Sequence, residues 1–252
     1  MPLSLYNTFL LVWIVLSGVI FLSLFFLPAP YGRHYKKGWG LNIKSRAGWI
    51  LMESHSFLVM LFLFITGVHQ RECVSIVFLI MWEMHYIYRA FIFPCLKSKG
   101  TPYMPIAIMF MAIFFNITNG FFNGYFLFHL TDPYPINWFW DFRFIFGSVL
   151  FFSGMIIHIS SDRILRKLRK PEEKDYRIPY GGFFKWISSP NYFGEILQWF
   201  GWALLTWSLA GLAFAIWTVS NLAPRAFYNH IWYKKSFPEY PKERKALIPF
   251  IF

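Results

Sequence analysis

Ionisable side chains inside long apolar runs are the first candidates for chemistry, because a charge in hydrocarbon is costly and persists only where it is used or paired. Glu53 lies about one turn into the apolar run Trp49–Val68. Glu83, His85, Tyr86 and Arg89 lie in the run Val74–Phe93. Glu83, Tyr86 and Arg89 recur every three residues, so a helix carries them on one face. If the two runs are antiparallel neighbours, Glu53 and Tyr86 stand at comparable depth. A carboxyl and a phenol could then converge on one ligand oxygen. The competing reading is that Glu53 pairs with Arg89 or a histidine and only orients two helices, and the residues alone leave both open.

A second group lies further along. Asp162 and Arg166 are four residues apart and Arg169 follows three later, a spacing that stacks them on one side of a helix. Arginine forks suit phosphate. The alternative is a solvated basic loop against anionic lipid headgroups, although this stretch is rich in arginine and interrupted by acids. Asn191 and Glu195 open the next apolar run and Arg225 closes the last one. There is no glycine-rich dinucleotide fingerprint or phosphate-binding loop, so a bound nucleotide would be held without a Rossmann domain. No HExxH or CxxC pattern occurs, and Cys73 and Cys95 offer neither a disulfide framework nor metal spacing. No metal is expected.

These groups need a membrane to be positioned in. Of the 252 residues, 57% are hydrophobic and 23% aromatic while only 14% are charged, too apolar for a soluble core of this size. Stretches near 20 apolar residues predict spans at about 8–27, 49–68, 74–93, 106–126 and 142–160. The long run from Phe193 to Ala226 reads as two shorter spans, 193–207 and 209–226, broken near Ser208–Gly211. Charge supports the split. All but Arg71, Arg89 and Arg143 of the 24 basic residues lie in alternate connections, as cytosolic loops do. This accounts for the net charge of +12 without nucleic acid. The first run lacks a basic segment before it and reads as a retained span, not a signal peptide. Asn116-Ile-Thr118 matches a glycosylation acceptor but lies inside a span. The expectation is an all-α polytopic membrane protein: one domain over 1–252, seven helices, N-terminus outside and C-terminus cytosolic. Glu53, Tyr86, Asn191, Glu195 and Arg225 would then face one cytosolic-side cavity.

At these residues the chain closely resembles the steroid 5α-reductase family (3-oxo-5α-steroid 4-dehydrogenases). The matching segments are MHYIYRAFIFP, SDRILRKLRKP, YRIPYGGFFKWISSPNYFGEILQWFGWALLTWSLAGLAFA and PRAFYNHIWYKKSFPEYPKERKALIPFIF. The match covers nearly the whole chain and is strongest from Gly147 onward. The resemblance implies NADPH-dependent reduction of a carbon–carbon double bond conjugated to a 3-ketone. Such a reaction needs a positioned hydride donor, a group polarising the carbonyl and a proton for the α-carbon. The resemblance implies that Glu53 and Tyr86 hold the steroid carbonyl. It implies a cofactor site made of Asp162, Arg169, Tyr176, Arg177, Asn191, Glu195, Arg225 and Tyr233, to which the helical spacing adds Arg166 and the position next to His230 adds Asn229. Trp49, Phe57, Arg89, Phe115 and Phe214 are the expected substrate-pocket residues.

The chain departs from the family pattern at four places. His158 stands where Asn is common and Asn229 where His is usual; Met52 and Gln198 replace polar or acidic residues. The expected partners are a steroid or sterol-like substrate and membrane lipids, with a monomeric protein and no nucleic acid. The expected location is the cytoplasmic membrane of a bacterium, the expected source, or the endoplasmic reticulum of a eukaryote, with the cofactor site facing the cytosol. The alternatives are a reductase of another sterol or polyprenoid enone, a membrane methyltransferase of lipid-modified cysteine, and a transporter or lipid-binding protein. The absence of an internal repeat counts against the common transporter plan.

Overall fold

The computed structural model describes residues 1–27, 38–96, 103–168 and 176–252; Arg169 therefore lies outside the described residues. Helices dominate: α1 (Leu3–Phe26), α2 (Ser45–Thr66), α3 (Cys73–Tyr86), α4 (Phe93–Leu96), α5 (Ile106–Tyr125), α6 (Phe142–Lys167), α7 (Pro190–Thr206) and α8 (Leu209–Ser236). Two π-helical segments, Ile87–Ile92 and Phe126–Leu130, extend α3 and α5 without a break. Apolar runs of this length become helices because a bilayer offers no water to the backbone, so each N–H and C=O must pair within its own segment. Among the described residues, five stretches are long and apolar enough to cross a membrane: Leu3–Phe26, Ser45–Thr66, Cys73–Leu96, Ile106–Leu130 and Phe142–Lys167. Large apolar side chains such as Phe62, Phe110 and Phe114 are exposed on them. On a soluble protein such a surface would aggregate; here it marks an integral membrane protein.

The chain forms two compact units, Met1–Leu10 with Pro30–Ile145, and Leu11–Ala29 with Phe146–Phe252. In the first unit a short antiparallel ladder joins β1 (Asn42–Lys44) to β2 (Tyr103–Pro105), with Asn42 opposite Pro105. The sequence reading did not anticipate it. It brings the starts of α2 and α5 side by side, so the two helices run parallel. Ser56 of α2 then donates to the Asn116 side chain of α5 at 3.1 Å, and Asn116 donates to the Met52 carbonyl at 2.7 Å. Further along, a Cβ on Gly124 would come 2.9 Å from the Leu63 side chain. The asparagines of α5 are thus helix-packing groups, which rules out the glycosylation motif as a surface feature: Asn116 is buried.

In the second unit, α6 and α7 approach backbone to backbone. Gly147 and Gly154 on α6 and Gly194 and Gly201 on α7 are each seven residues apart. A Cβ on Gly154 would stand 2.4 Å from the Gln198 nitrogen, and one on Gly201 would stand 2.4 Å from the Phe151 nitrogen. Small residues permit this approach where no hydrophobic force drives helices together in lipid. The sequence predicted a break in the last apolar run, and α7 does end at Thr206. Trp207 adopts a left-handed turn (φ 46, ψ 42), and Ser208 caps α8 by accepting from the Gly211 N–H at 3.0 Å. Helix α8 extends ten residues past the expected end at Ala226, to Ser236. Its extension continues because Tyr233 is buried against Ile178 and Tyr240, beside Trp232 and Phe237.

Candidate active site

In the first unit, α2 and α3 bring the expected carbonyl-binding residues to one level. An Arg89 Nη2 lies 3.7 Å from Glu53 Oε1. One turn deeper, Trp82 Nε1 donates to the Ser56 carbonyl at 3.3 Å. Tyr86 lies between these two tie-points on α3, is 3% exposed, and packs on Trp82 with ring centroids 5.1 Å apart. The π-helical segment starts directly after Tyr86 and carries Arg89. Such wide turns rotate the side chains that follow and are frequent at functional sites. Arg89 also lies over the Trp49 ring at 4.8 Å and the Phe93 ring at 5.4 Å. Two expected pocket residues, Trp49 and Arg89, are thus brought together with Glu53. Phe57 meets Phe91 edge-on at 5.8 Å, and Phe115 is half-buried on α5. Phe214 belongs to the other unit, where it packs on Trp199 with centroids 4.0 Å apart.

In the second unit, close packing of α6 on α7 assembles a polar cluster. Asn191 Nδ2 donates to Asp162 Oδ1 at 3.2 Å. His158 lies 3.5 Å from Asp162 Oδ2 on one side and 3.5 Å from Glu195 Oε2 on the other. Its Nδ1 is 3.1 Å from the Asn191 carbonyl; that oxygen can only accept, so the ring donates there. Arg225 Nε donates to Tyr192 OH at 3.4 Å, next in sequence to Asn191. Asn229 Nδ2 donates to Ser189 Oγ at 3.3 Å. Tyr233 stacks on Tyr240, centroids 5.1 Å apart and 8° from parallel, while Tyr176 meets Trp232 edge-on. Arg166 is half-buried at the end of α6 and Arg177 is exposed.

A supporting network lies behind this cluster and was not singled out from the sequence. Ser188 Oγ is 2.6 Å from His230 Nδ1, 2.7 Å from Tyr240 OH and 3.1 Å from the Lys245 carbonyl. His230 lies beyond the apolar part of α8. Burial, then the charges of Lys234 and Lys245, push its pKa down to about 4, so the ring is neutral and shares a hydrogen bond with Ser188. The tail is pinned by a bridge between Ile187 and Lys245 and by Arg244, which is buried and donates to the Pro179 carbonyl at 3.0 Å. An arginine flanked by Lys242 and Lys245 was the available signal. It reads as loop charge in a sequence because its partners are carbonyls, which every residue has.

The donor set of the second unit is of the kind that takes a nicotinamide dinucleotide. Guanidinium groups suit phosphates, carboxylates accept from ribose hydroxyls, and an amide matches a carboxamide.

The family profile for 3-oxo-5-alpha-steroid 4-dehydrogenase matches residues 102–252. The chain is 38% identical to "Steroid 5-alpha-reductase DET2" of Gossypium hirsutum over 253 residues, covering 99% of this chain and 98% of that one. It is 43% identical to the Arabidopsis thaliana protein of the same name over 234 residues, covering 90% and 89%. It is likewise 43% identical to "3-oxo-5-alpha-steroid 4-dehydrogenase 2" of Homo sapiens over 233 residues, covering 89% of each. The chain therefore belongs to the 3-oxo-5-alpha-steroid 4-dehydrogenase family.

Proposed function

We propose that this membrane oxidoreductase uses NADPH to reduce the Δ4 double bond of 3-oxo-Δ4 steroids to 5α-reduced 3-oxo steroids. Family membership supports the reaction class. The observation that carries the residue assignment is the Glu53–Arg89 pair at the level of the buried Tyr86. Tyr86 donates a hydrogen bond to the substrate's 3-oxo oxygen and stabilises the negative charge that grows there. Glu53, anchored by Arg89, orients that contact. When bound, the cofactor supplies the hydride for C5, and a proton reaches C4 to complete the reduction. Asp162, Glu195 and Asn191 hold the nicotinamide-ribose part. Arg166, Arg169, Arg177 and Arg225 hold phosphates, and Tyr176, Asn229 and Tyr233 shape the rest of the site. Trp49, Phe57 and Phe115 supply apolar surface to a fused-ring substrate.

The same reading has a topology. The chain acts as one membrane-embedded reductase domain with seven crossings, in which α7 and the first part of α8 form the last pair. The N-terminus is outside, and the tail and cofactor site are cytosolic. The protein works as a monomer. Its 17-residue α7 spans roughly 26 Å at 1.5 Å per residue, slightly less than a bilayer core of about 30 Å.

The test is incubation of purified protein in lipid nanodiscs with NADPH and a panel of enones that includes testosterone and progesterone. Saturated product is expected from at least one 3-oxo-Δ4 steroid. Product from only another sterol or polyprenoid enone would reassign the substrate. No product from any enone, with NADPH bound, would overturn the reaction.

A further inference from the structure

The proposed function uses Tyr86 and Arg89 but leaves Glu83 and His85, on the same span, without work. Glu83 is 8% exposed. Among the described residues neither of its carboxyl oxygens, both buried, has a hydrogen-bond partner. Residues 76–82, just before it, are all apolar. Hydrocarbon does not sustain an ionised carboxylate without a cation or a donor beside it. Glu83 therefore stands there as the neutral acid, which has a proton to give. Its neighbours are otherwise committed: Glu53 to Arg89 at 3.7 Å, Arg89 to a guanidinium that keeps its protons, and Tyr86 to the substrate oxygen. Position adds a second argument. Glu83 and Tyr86 both lie within the α-helical part of the span, Cys73–Tyr86, and the π-helical turns begin only after Tyr86. Residues three apart on an α-helix share a face, with Cβ atoms about 5–6 Å apart. Glu83 is thus one turn deeper than Tyr86. In a 3-oxo-Δ4 steroid, C4 is two bonds from the oxygen that Tyr86 holds, so a carboxyl one turn away is within reach of that carbon.

We infer that Glu83 is the catalytic acid that delivers the proton to C4. The inference rests on the proposed reduction and names the donor that the reduction requires. The step balances. Once C5 has gained a hydride, the π pair of the substrate's double bond lies in an enolate across C4, C3 and the oxygen. That pair takes the proton of Glu83: the C4–H bond forms, the carboxyl O–H bond breaks with its electrons left on the carboxylate, and the C3 carbonyl is restored. The carboxylate takes a proton from water before the next turnover. His85, buried and edge-on to Tyr86 at 5.0 Å, is the competing donor.

The experiment runs the unmodified protein, Glu83→Gln and His85→Gln in lipid nanodiscs with NADPH and a 3-oxo-Δ4 steroid in heavy water. The product is trapped as its 3-alcohol with borohydride, and NMR reads which face of C4 carries deuterium. kcat, the NADPH dissociation constant and the melting temperature are measured alongside. The unmodified protein is expected to place deuterium on one face. Glu83→Gln keeps the shape and loses the acid. It is expected to lower kcat by about 100-fold or more and to give deuterium on both faces, because water then protonates the enolate from either side. Its NADPH constant and melting temperature are expected to match the parent's, and His85→Gln is expected to keep deuterium on one face. Single-face product from Glu83→Gln would overturn the inference at any kcat. So would mixed faces from the unmodified protein, or loss of the preference in His85→Gln alone, which gives the proton to the imidazole. If Glu83→Gln does not accumulate, Glu83→Leu replaces it; removing buried polar atoms that lack partners is expected to leave the melting temperature unchanged or raise it. An unmodified protein that reduces no 3-oxo-Δ4 steroid removes the proposed function and this inference with it. An active parent whose C4 stereochemistry survives in Glu83→Gln overturns this inference alone.

Discussion

At the scale of single residues, the roles proposed for the two units can be separated by experiment. Glu53→Gln and Tyr86→Phe are each expected to lower kcat by about 100-fold or more, as removal of a group that stabilises a developing oxyanion does, while NADPH binding is retained. Arg225→Ala should do the reverse, raising the NADPH constant by about tenfold, in keeping with loss of a charge-assisted phosphate contact. Fluorescence titration with NADPH alongside product assays distinguishes the two. Loss of NADPH binding in the Glu53 or Tyr86 variants would move that pair to the cofactor side. His230 makes a different prediction. Its folded pKa is pushed down to about 4, first by burial, against an ordinary value of about 6.5. Between those values the unfolded chain takes up a proton that the folded chain does not. Stability should therefore fall as pH drops from about 6.5 to about 4, and should be fully recovered above that window. The effect is modest because the ring is only half-buried. The melting temperature of His230→Gln should be flatter across the same range, and identical pH profiles would count against a neutral His230 ring in the folded chain.

At the scale of elements, the helices were legible and their contacts were not. The apolar runs of α1, α2, α3, α5 and α6 predict helices because the bilayer demands internally paired backbone. The break before α8 was read from charge alone, and it falls at Trp207–Ser208. The seven-residue glycine spacing on α6 and α7 was also present in the sequence. Its meaning depends on which helix lies opposite, which spacing does not state. Gly154→Leu should force α6 from α7, since even a Cβ there would meet the Gln198 nitrogen at 2.4 Å. Overpacking of this kind costs about 1–3 kcal/mol or more. NADPH binding should fall together with the melting temperature, because Asp162 and Asn191 meet across this seam. A variant with normal melting and normal binding would show that the close approach is dispensable. The π-helical turn after Tyr86 had no sequence signal, because α and π turns use the same residues.

At the scale of the whole molecule, the proposal of seven crossings makes a prediction about sidedness. Nearly all the basic residues lie in alternate connections, so a reporter fused after Phe252 should be cytosolic and one placed in the 131–141 connection should lie outside. An outside signal from the tail would mean that α7 and α8 cross an odd number of times between them. The tail of Arg244, Lys245 and Tyr240 would then be on the wrong face for a cytosolic cofactor.

The pair Glu53 and Tyr86 opened the sequence reading as a juxtaposition of depth with two meanings, a ligand site or a helix-orienting ion pair. The tertiary structure gives Glu53 an arginine partner, the contact that the helix-orienting reading expects; the ligand-site reading belongs to the proposed function. Composition, run length and charge alternation determined by themselves that this is a helical membrane protein, since those depend on the solvent and not on neighbours. Motif spacing carried the family. Which polar groups meet was decided only by tertiary contact. His158 with Glu195, Ser188 with His230 and the buried Arg244 with the Pro179 carbonyl are pairings between residues 37, 42 and 65 positions apart. A hydrogen bond requires a few ångströms of separation that only packing sets.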